Sequence, residues 1–267
     1  MRIIFIGDIF GKIGRRAVAQ IVPKWKKQYA PDFILGNNEN LAHGVGITAR
    51  TIQEMLDAGL DGLTGGNHTF RGEGMELLQN PKLPILRPAN YPPGLPGRGD
   101  MVLVDKNTGN FRLLVVNLIG RVFFRESFDD PFRKIDEILS QYKGEELSGI
   151  FVDFHTEASS EQNVMGHYAD GRVSAVVGTH THIGTVDARL LPKGTAFVTD
   201  VGGVIAVESI LGENIENITR STLLQRPFVH EPVETGLCTI GAVLVDIDEK
   251  TKKANSIIRI DEKITIN

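Results

Sequence analysis

At 267 residues the chain is long enough for one large α/β domain or two small ones, and 41% hydrophobic with 23% charged residues is the balance of an ordinary globular protein. A formal net charge of −4 gives no general electrostatic footprint for nucleic acid, and a lone cysteine, Cys238, excludes an intramolecular disulfide or a cysteine-rich zinc site and fits a reducing compartment. No run approaches the roughly 18 apolar residues of a membrane span, and Asp8 interrupts the first apolar run too early for a secretory leader, so the expectation is a cytoplasmic protein without a membrane partner.

The chain opens with RIIFIGD, a short buried strand, and continues into GDIFGKIG. A glycine-rich turn between strand and helix invites a phosphate-binding reading, but both standard forms miss. The dinucleotide fingerprint needs G-x-G-x-x-G, whereas the glycines here are Gly7, Gly11 and Gly14. The P-loop needs four residues between its glycines and then Lys and Ser/Thr, whereas three residues precede Gly11, followed by Lys12 and Ile13. What remains is Asp8, a carboxylate at the tip of a strand. Arg15 to Tyr29 reads as a helix disturbed at Pro23. DFILGNNEN is a second strand running into a polar loop, and TARTIQEMLDAG is a helix with Thr48 as N-cap and Gly59 as stop. DGLTGGNH is a third strand with a polar tip, GEGMELLQN a short helix, and Pro81 to Gly99 a long surface connection. MVLVDKNTGNFRLLVVNL reads as a hairpin turning near Asn107 to Asn110. Asp130 to Tyr142 is helical, GIFVDFH is a strand, the next dozen residues are helical, and VSAVVGTHTH is a strand ending in histidines. Beyond Leu190 the pattern is mostly β, with one helix near Asn214 to Leu224. The alternation predicts a single α/β domain over residues 1–267, with a mixed sheet layered by helices and neither repeat nor linker.

Polar residues gather where apolar strands end. Asp8 ends the first; Asn37, Asn38, Glu39 and Asn40 end the second; Asn67 and His68 end the third; His155 ends GIFVDFH; His180 and His182 end SAVVGTHTH. Ligands of open α/β sheets bind outside the carboxyl ends of strands, and each of these side chains offers a metal oxygen or nitrogen. Singly, each has a plainer reading: Asp8 as a turn residue or cap, Asn67 as a tolerant left-handed turn residue, His155 as a core histidine. His180 and His182 lie two apart, which in a strand points both to one face with Thr181 turned away. It is the collective placement that points to metal.

Taken in order, GD at Gly7-Asp8, GNNEN at Gly36 to Asn40, GNH at Gly66 to His68, DFH at Asp153 to His155 and GTHTH at Gly178 to His182 resemble the calcineurin-like metallophosphoesterases. FIGDIFGKIGRR, NNENLAHGVGIT, GGNHTF, DFHTEASSEQ and VVGTHTHI look like its YmdB-like branch, bacterial phosphodiesterases acting on cyclic nucleotides, and the likeness spans nearly the whole chain. The resemblance implies a layered sheet sandwich flanked by helices. It implies two metal ions per chain, iron ahead of manganese or zinc, and a metal-bridged hydroxide attacking a 2′,3′-cyclic nucleotide such as 2′,3′-cAMP. Two departures from the wider family matter. Its first motif is D-x-H, but position 10 is Phe10, and its bridging Asp is here Glu39 beside Asn40. By resemblance, Asp8, Glu39, Asn40 and His182 hold the first metal, and Glu39, Asn67, His155 and His180 the second. His68 follows a ligand and is the candidate to protonate the leaving oxygen. His43 is a candidate substrate contact or a loop-closing residue. Arg71 and Arg121 are candidate phosphate contacts, while His167 reads as structural and nothing near His230 assigns it. The branch is typically oligomeric. Phosphomonoesters, short RNA, or slow turnover by a regulatory nucleotide-binding protein are the alternatives.

Overall fold

The computed structural model describes residues 1–105, 109–227 and 229–267. In chain order the elements are β1 (Arg2–Ile9), α1 (Gly11–Tyr29), β2 (Phe33–Asn37), α2 (Ala49–Ala58), β3 (Gly62–Thr64), α3 (Gly74–Leu77), β4 (Asp100–Val104), β5 (Arg112–Ile119), α4 (Pro131–Gln141) and β6 (Gly149–His155). There follow α5 (Ser159–Ala169), β7 (Ala175–Thr179), β8 (Arg189–Leu190), β9 (Ala196–Val198), β10 (Gly203–Ala206), α6 (Ile215–Leu224), β11 (Gly236–Ile240), β12 (Ala242–Ile247), β13 (Ala254–Arg259) and β14 (Glu262–Ile266).

The strands form two mixed sheets. One is eight-stranded, with β1 hydrogen-bonded in parallel to β2 and β10 and antiparallel to β12; the other is six-stranded, in the order β4-β5-β6-β7-β9-β8. Side chains alternate across a strand, and here the alternation sorts them into layers. Ile3 and Phe5 of β1 join Leu113 and Val115 of β5, Phe151 of β6 and Val177 of β7 in a core between the sheets. Phe5 stacks on Phe151 across that seam, with ring centroids 5.2 Å apart. Ile4 and Ile6 face the other way, toward α1 and α2. Val152 and Phe154 of the second sheet face α4 and α5. The result is a four-layer α/β/β/α sandwich, the layered architecture that the resemblance implies. Because β1, β2, β6 and β7 are buried on both faces, they read in sequence as continuous apolar runs.

Most elements fall where the sequence places them. Thr48 caps α2, accepting a hydrogen bond from the Thr51 amide, and Gly59 ends it in the left-handed region at φ 101°. Helix α1 departs in two ways. It begins at Gly11, so GKIG is its first turn, and it continues through Pro23, because Ile13, Ala17, Val18, Ile21, Val22 and Trp25 form one buried face around the proline. The β4–β5 hairpin pairs Val104 with Arg112 as expected, but Lys106, Asn107 and Thr108 of its turn lie outside the described residues. Strand β7 stops at Thr179, before either histidine of the GTHTH motif. Among the described residues no helix is long and apolar enough to cross a membrane.

One irregularity positions the site. The β1–β2 register slips between Ile6 and Asp8, a bulge at Gly7. Before it, even-numbered residues face the helices; after it, Ile9 does, which turns Asp8 into the seam between the sheets. The bulge needs glycine, since a Cβ at position 7 would lie 1.7 Å from the Gly202 carbonyl oxygen. Gly7→Ala should therefore cost roughly 1–3 kcal/mol of stability, read by chemical denaturation, and should lower bound metal by moving Asp8. A variant with unchanged midpoint and metal content would show that the slip does not set Asp8.

Candidate metal centre

At the carboxyl ends of the parallel strands the apolar seam becomes polar. Asn37 at the end of β2 donates to Asp153 Oδ2 on β6 at 3.2 Å and to the Gly65 carbonyl at 3.2 Å, while its Oδ1 accepts from the Glu39 amide at 3.0 Å. Asn117 at the end of β5 accepts from the Gly65 amide at 2.9 Å. These bonds join the two sheets directly under the loops that carry Asp8, Glu39, Asn40, Asn67, His155, His180 and His182.

The loops converge. His155 Nε2 lies 3.0 Å from Asn67 Oδ1, 3.0 Å from His180 Nδ1 and 3.4 Å from Glu39 Oε1. Asn40 Nδ2 lies 3.4 Å from the same Glu39 oxygen and 3.1 Å from His182 Nε2, which is itself 3.9 Å from Asp8 Oδ1. Glu39 thus sits between two groups of donors. Asp8 is fully buried and its Oδ2 accepts from the His180 amide at 3.0 Å, but its Oδ1 is buried with no hydrogen-bond partner. Ligand atoms of Glu39, His155 and His180 lie within 4.8 Å of one another. Gly66 keeps this space open, because a Cβ there would come 2.2 Å from Glu39 Oε2 and 2.4 Å from His155 Nε2.

The outer hydrogen bonds fix the tautomers. Thr179 Oγ1 donates to Asp153 Oδ1 at 2.7 Å and so must accept from His155 Nδ1–H at 2.9 Å. His180 Nε2–H meets the Glu157 carboxylate at 3.0 Å, and His182 Nδ1–H meets the Leu211 carbonyl at 3.2 Å. All three imidazoles therefore turn lone pairs inward, His180 through Nδ1 and the others through Nε2. Two such nitrogens 3.0 Å apart, beside two buried carboxylates, require positive charge among them. The donor set and the orphaned Asp8 oxygen fit metal ions, with each histidine oriented by an outer partner.

The titration behaviour follows. Burial pushes the Glu39 carboxyl up, but the charge and hydrogen bond of His155 outweigh it and hold the group well below the usual carboxylate range. Burial pulls His155 down, yet Glu39 raises it to about 9. Burial and the neighbouring His155 charge lower His180 to about 3. Without a cation, one proton on His155 takes its place. Burial likewise lifts Asp153 to about 6, and burial with the Asp8 charge lifts Asp200 to about 7.

His68 sits at the mouth. Its amide donates to Glu39 Oε2 at 2.9 Å and its Nδ1 faces Asn40 Oδ1 at 2.9 Å. Its ring is one-third exposed, and its Nε2 is turned away from these two partners. Phe10 occupies the place of the missing D-x-H histidine. Its ring meets His182 edge-on at 5.7 Å and lies where a Cβ on Gly44 or Gly212 would collide with it. Asn40 spans from His182 to His68 beside it.

One sequence argument fails. His180 and His182 are not strand neighbours sharing a face; both lie beyond β7 with positive φ, 115° and 62°, and reach the cluster through a turn held by the Asp200 carboxylate. His43 is exposed at φ 53°, in a turn closed by Ala42 and Gly46, where it lines a cleft with Lys12, Arg15 and Glu234. Arg71 is exposed, Arg121 lies 3.7 Å from Asp130, His167 is in the last turn of α5 and His230 pairs with Glu213 at 2.9 Å. Residue patterning placed Asn37 among the strand-end polar groups but assigned no orienting role to it or to Asp153, Glu157 and Thr179. It also missed Tyr91, whose hydroxyl donates to the Gly66 and Asn67 carbonyls at 3.3 and 3.4 Å. Asp153 and Thr179 lie inside the histidine motifs, which was the available signal.

Comparison with known proteins finds relatives over nearly the whole chain. The family model for YmdB-like proteins matches residues 4–260. The chain is 44% identical over 260 residues to a 2′,3′-cyclic-nucleotide 2′-phosphodiesterase of Bacillus subtilis, covering 97% of this chain and 96% of that one. The crystal structure of a hypothetical protein from Thermus thermophilus superposes with a TM-score of 0.89 at 37% identity, covering 98% and 99% of the two chains. That of a novel phosphatase from Mycoplasma pneumoniae superposes with a TM-score of 0.90 at 28% identity, covering 100% and 94%.

Two outcomes follow from the lone-pair arrangement. A metal entering beside His155 must expel its proton, while Glu39 is already ionised and His180 already neutral. Affinity should therefore rise with pH by roughly tenfold per unit and level off near the raised His155 value of about 9; competition with a chelator from about pH 6 to 9 measures it. Thr179→Val removes the acceptor that orients His155 and should weaken metal binding roughly 10–100-fold with the fold retained, read by the same competition and by circular dichroism.

Proposed function

The chain belongs to the YmdB-like family, and from that premise we propose that it is a binuclear-metal phosphodiesterase of small cyclic nucleotides, 2′,3′-cyclic ones first. The observation that carries this reading is the inward convergence of three imidazole lone pairs and the buried Asp8 carboxylate around the buried Glu39 carboxylate. The substrate class rests on the activity named for the Bacillus subtilis relative. Asp8, Glu39, Asn40 and His182 would hold one cation, and Glu39, Asn67, His155 and His180 the other. Mixed oxygen and nitrogen donors without thiolate suit iron, with manganese or zinc as alternatives. When bound, such ions supply Lewis acidity and lower the pKa of water toward about 7.

The chain's own groups do the rest. Glu39, held by the His68 amide and the Asn40 side chain, would supply the negative charge that offsets both cations. His68, protonated at both ring nitrogens, acts at the leaving oxygen: Asn40 accepts its Nδ1–H, its Nε2–H is the proton given at the open side of the cluster, and the proton released by the attacking water replaces it. Water adds to phosphorus, the bond from phosphorus to O2′ breaks, and the proton goes to O2′, giving a nucleoside 3′-monophosphate. His43 belongs to this reading as an outlying substrate contact. The shared core between the sheets supports one domain over residues 1–267. The free buried Cys238 supports a cytoplasmic setting, and exposed Leu223, Leu224 and Val229 support a homo-oligomer.

The test is a metal-replete screen of 2′,3′- and 3′,5′-cyclic nucleotides, a phosphomonoester and short RNA, with Asn67→Ala as control and elemental analysis in parallel. Two ions per chain and turnover led by 2′,3′-cyclic substrates, abolished in the control, are expected. Preference for the monoester or RNA, or tight nucleotide binding without turnover, would replace the reading. Within it, His68→Ala should keep both metals and lose roughly 10²–10⁴-fold in kcat on a cyclic nucleotide. The loss should be much smaller on a nitrophenyl diester, whose leaving group needs little protonation. Equal losses would assign His68 to positioning.

A further inference from the structure

The loop between β5 and α4 carries RVFFRESF, an aromatic-rich stretch that the metal chemistry does not use. It is a built element. Asn90 closes its neck, accepting from the Ile119 amide at 2.9 Å and donating to the Ile119 and Asp129 carbonyls at 2.7 and 2.9 Å. The buried Glu161 carboxylate of α5 accepts from the Arg121 amide at 3.0 Å and the Val122 amide at 3.2 Å, and the Gly120 amide bonds the His155 carbonyl at 2.8 Å. The loop is thus tied to the backbone of a cluster histidine at its first residue.

Its aromatics continue a ladder along one side of the cluster. Phe70, two residues past His68, meets Tyr91 at 5.1 Å; Tyr91 meets Phe128 at 4.8 Å; Phe128 meets Phe124 at 5.7 Å; and Phe124 lies 5.0 Å from His180 and 6.3 Å from His155. Phe124 is braced on both sides. Phe123 is not: it is 82% exposed and its backbone is left-handed at φ 69°, a conformation bulky side chains rarely adopt. Both features work against the free protein and suit a surface that a ligand covers. Phe123 is the chain neighbour of Phe124, whose ring packs 5.0 Å from His180, with consecutive Cα atoms about 3.8 Å apart.

We propose that the 120–130 loop is the base-recognition wall of the site, with Phe123 as the platform on which the substrate's nucleobase stacks. This rests on the nucleotide reading given above. Stacking tolerates any base because each presents a π-face, and it fixes the ribose end of the substrate without touching the reacting bond. Phe123 is a positioning and specificity residue, so its contribution belongs in KM rather than kcat.

The test compares the metal-loaded enzyme and its Phe123→Ala and Phe123→Trp variants on 2′,3′-cAMP and on glycerol 1,2-cyclic phosphate, a five-membered cyclic diester without a base. In Phe123→Ala the ratio of kcat/KM for the nucleotide over the base-free ester should fall roughly 5–100-fold, mainly through KM, and Phe123→Trp should restore it. A ratio within twofold of the parent, or a tryptophan variant no better than alanine, overturns the proposal. Calorimetric titration with adenosine 3′-monophosphate and with inorganic phosphate separates it from the reading it rests on. If the parent turns over neither ester, the phosphodiesterase reading fails. The base wall still stands if the nucleotide binds more tightly than phosphate and that margin disappears in Phe123→Ala, and it falls if the margin is absent or survives.

Discussion

Lone pair facing lone pair is repulsive, and His155 Nε2 and His180 Nδ1 are held 3.0 Å apart in a buried setting with two carboxylates close by. Everything around the centre serves to make that arrangement stable only with positive charge inside it. Thr179, Glu157 and the Leu211 carbonyl each take an imidazole N–H on the far side, so no ring can relieve the repulsion by changing tautomer without losing a hydrogen bond. The cluster is a knot of negative potential built into the protein, met by a proton on His155 at neutral pH and better met by a cation.

The two-sheet architecture explains how such a cluster is kept from rearranging. Its walls belong to different sheets: Asp8, Glu39 and Asn67 come from the first, His155, His180 and His182 from the second. What fixes their separation is the apolar seam below, where Phe5 stacks on Phe151, and the Asn37–Asp153 and Asn117–Gly65 bonds at its rim. A close-packed seam resists compression. The converging side chains inherit that rigidity without needing rigid loops of their own.

Much of this was legible in the sequence, for definite physical reasons. Asp8, Glu39, Asn67 and His155 could be found because a parallel strand must end where its ligand begins, and the Thr48 and Gly59 ends of α2 carried their own chemistry. The division into two sheets was hidden, since a strand buried on both faces shows no alternation. His180 and His182 do reach the cluster, but not as HxH spacing on a strand would have them, since the strand stops at Thr179. The choice of ring nitrogen at each histidine depends on partners such as Leu211, 29 residues from His182, and local pattern cannot supply it. The aromatic loop was silent for a similar reason: its clamp, Glu161, lies 40 residues beyond Arg121, and a loop has no period to read.

The slip at Gly7 behaves like a frameshift in a two-letter code. On either side of it the same strand is read in opposite phase, the even-numbered Ile4 and Ile6 addressing the helices before it and the odd-numbered Ile9 after it. Running the strand through without the slip, with Gly7 paired in its turn, would leave every residue of β1 unchanged, yet it would turn Asp8 toward the helices and Ile9 into the seam. The centre is therefore written in the pairing register of β1 as much as in its residues. Drift in this segment can exchange one aliphatic side chain for another of similar volume, while the residue at the slip stays glycine, the punctuation mark that keeps the two phases apart.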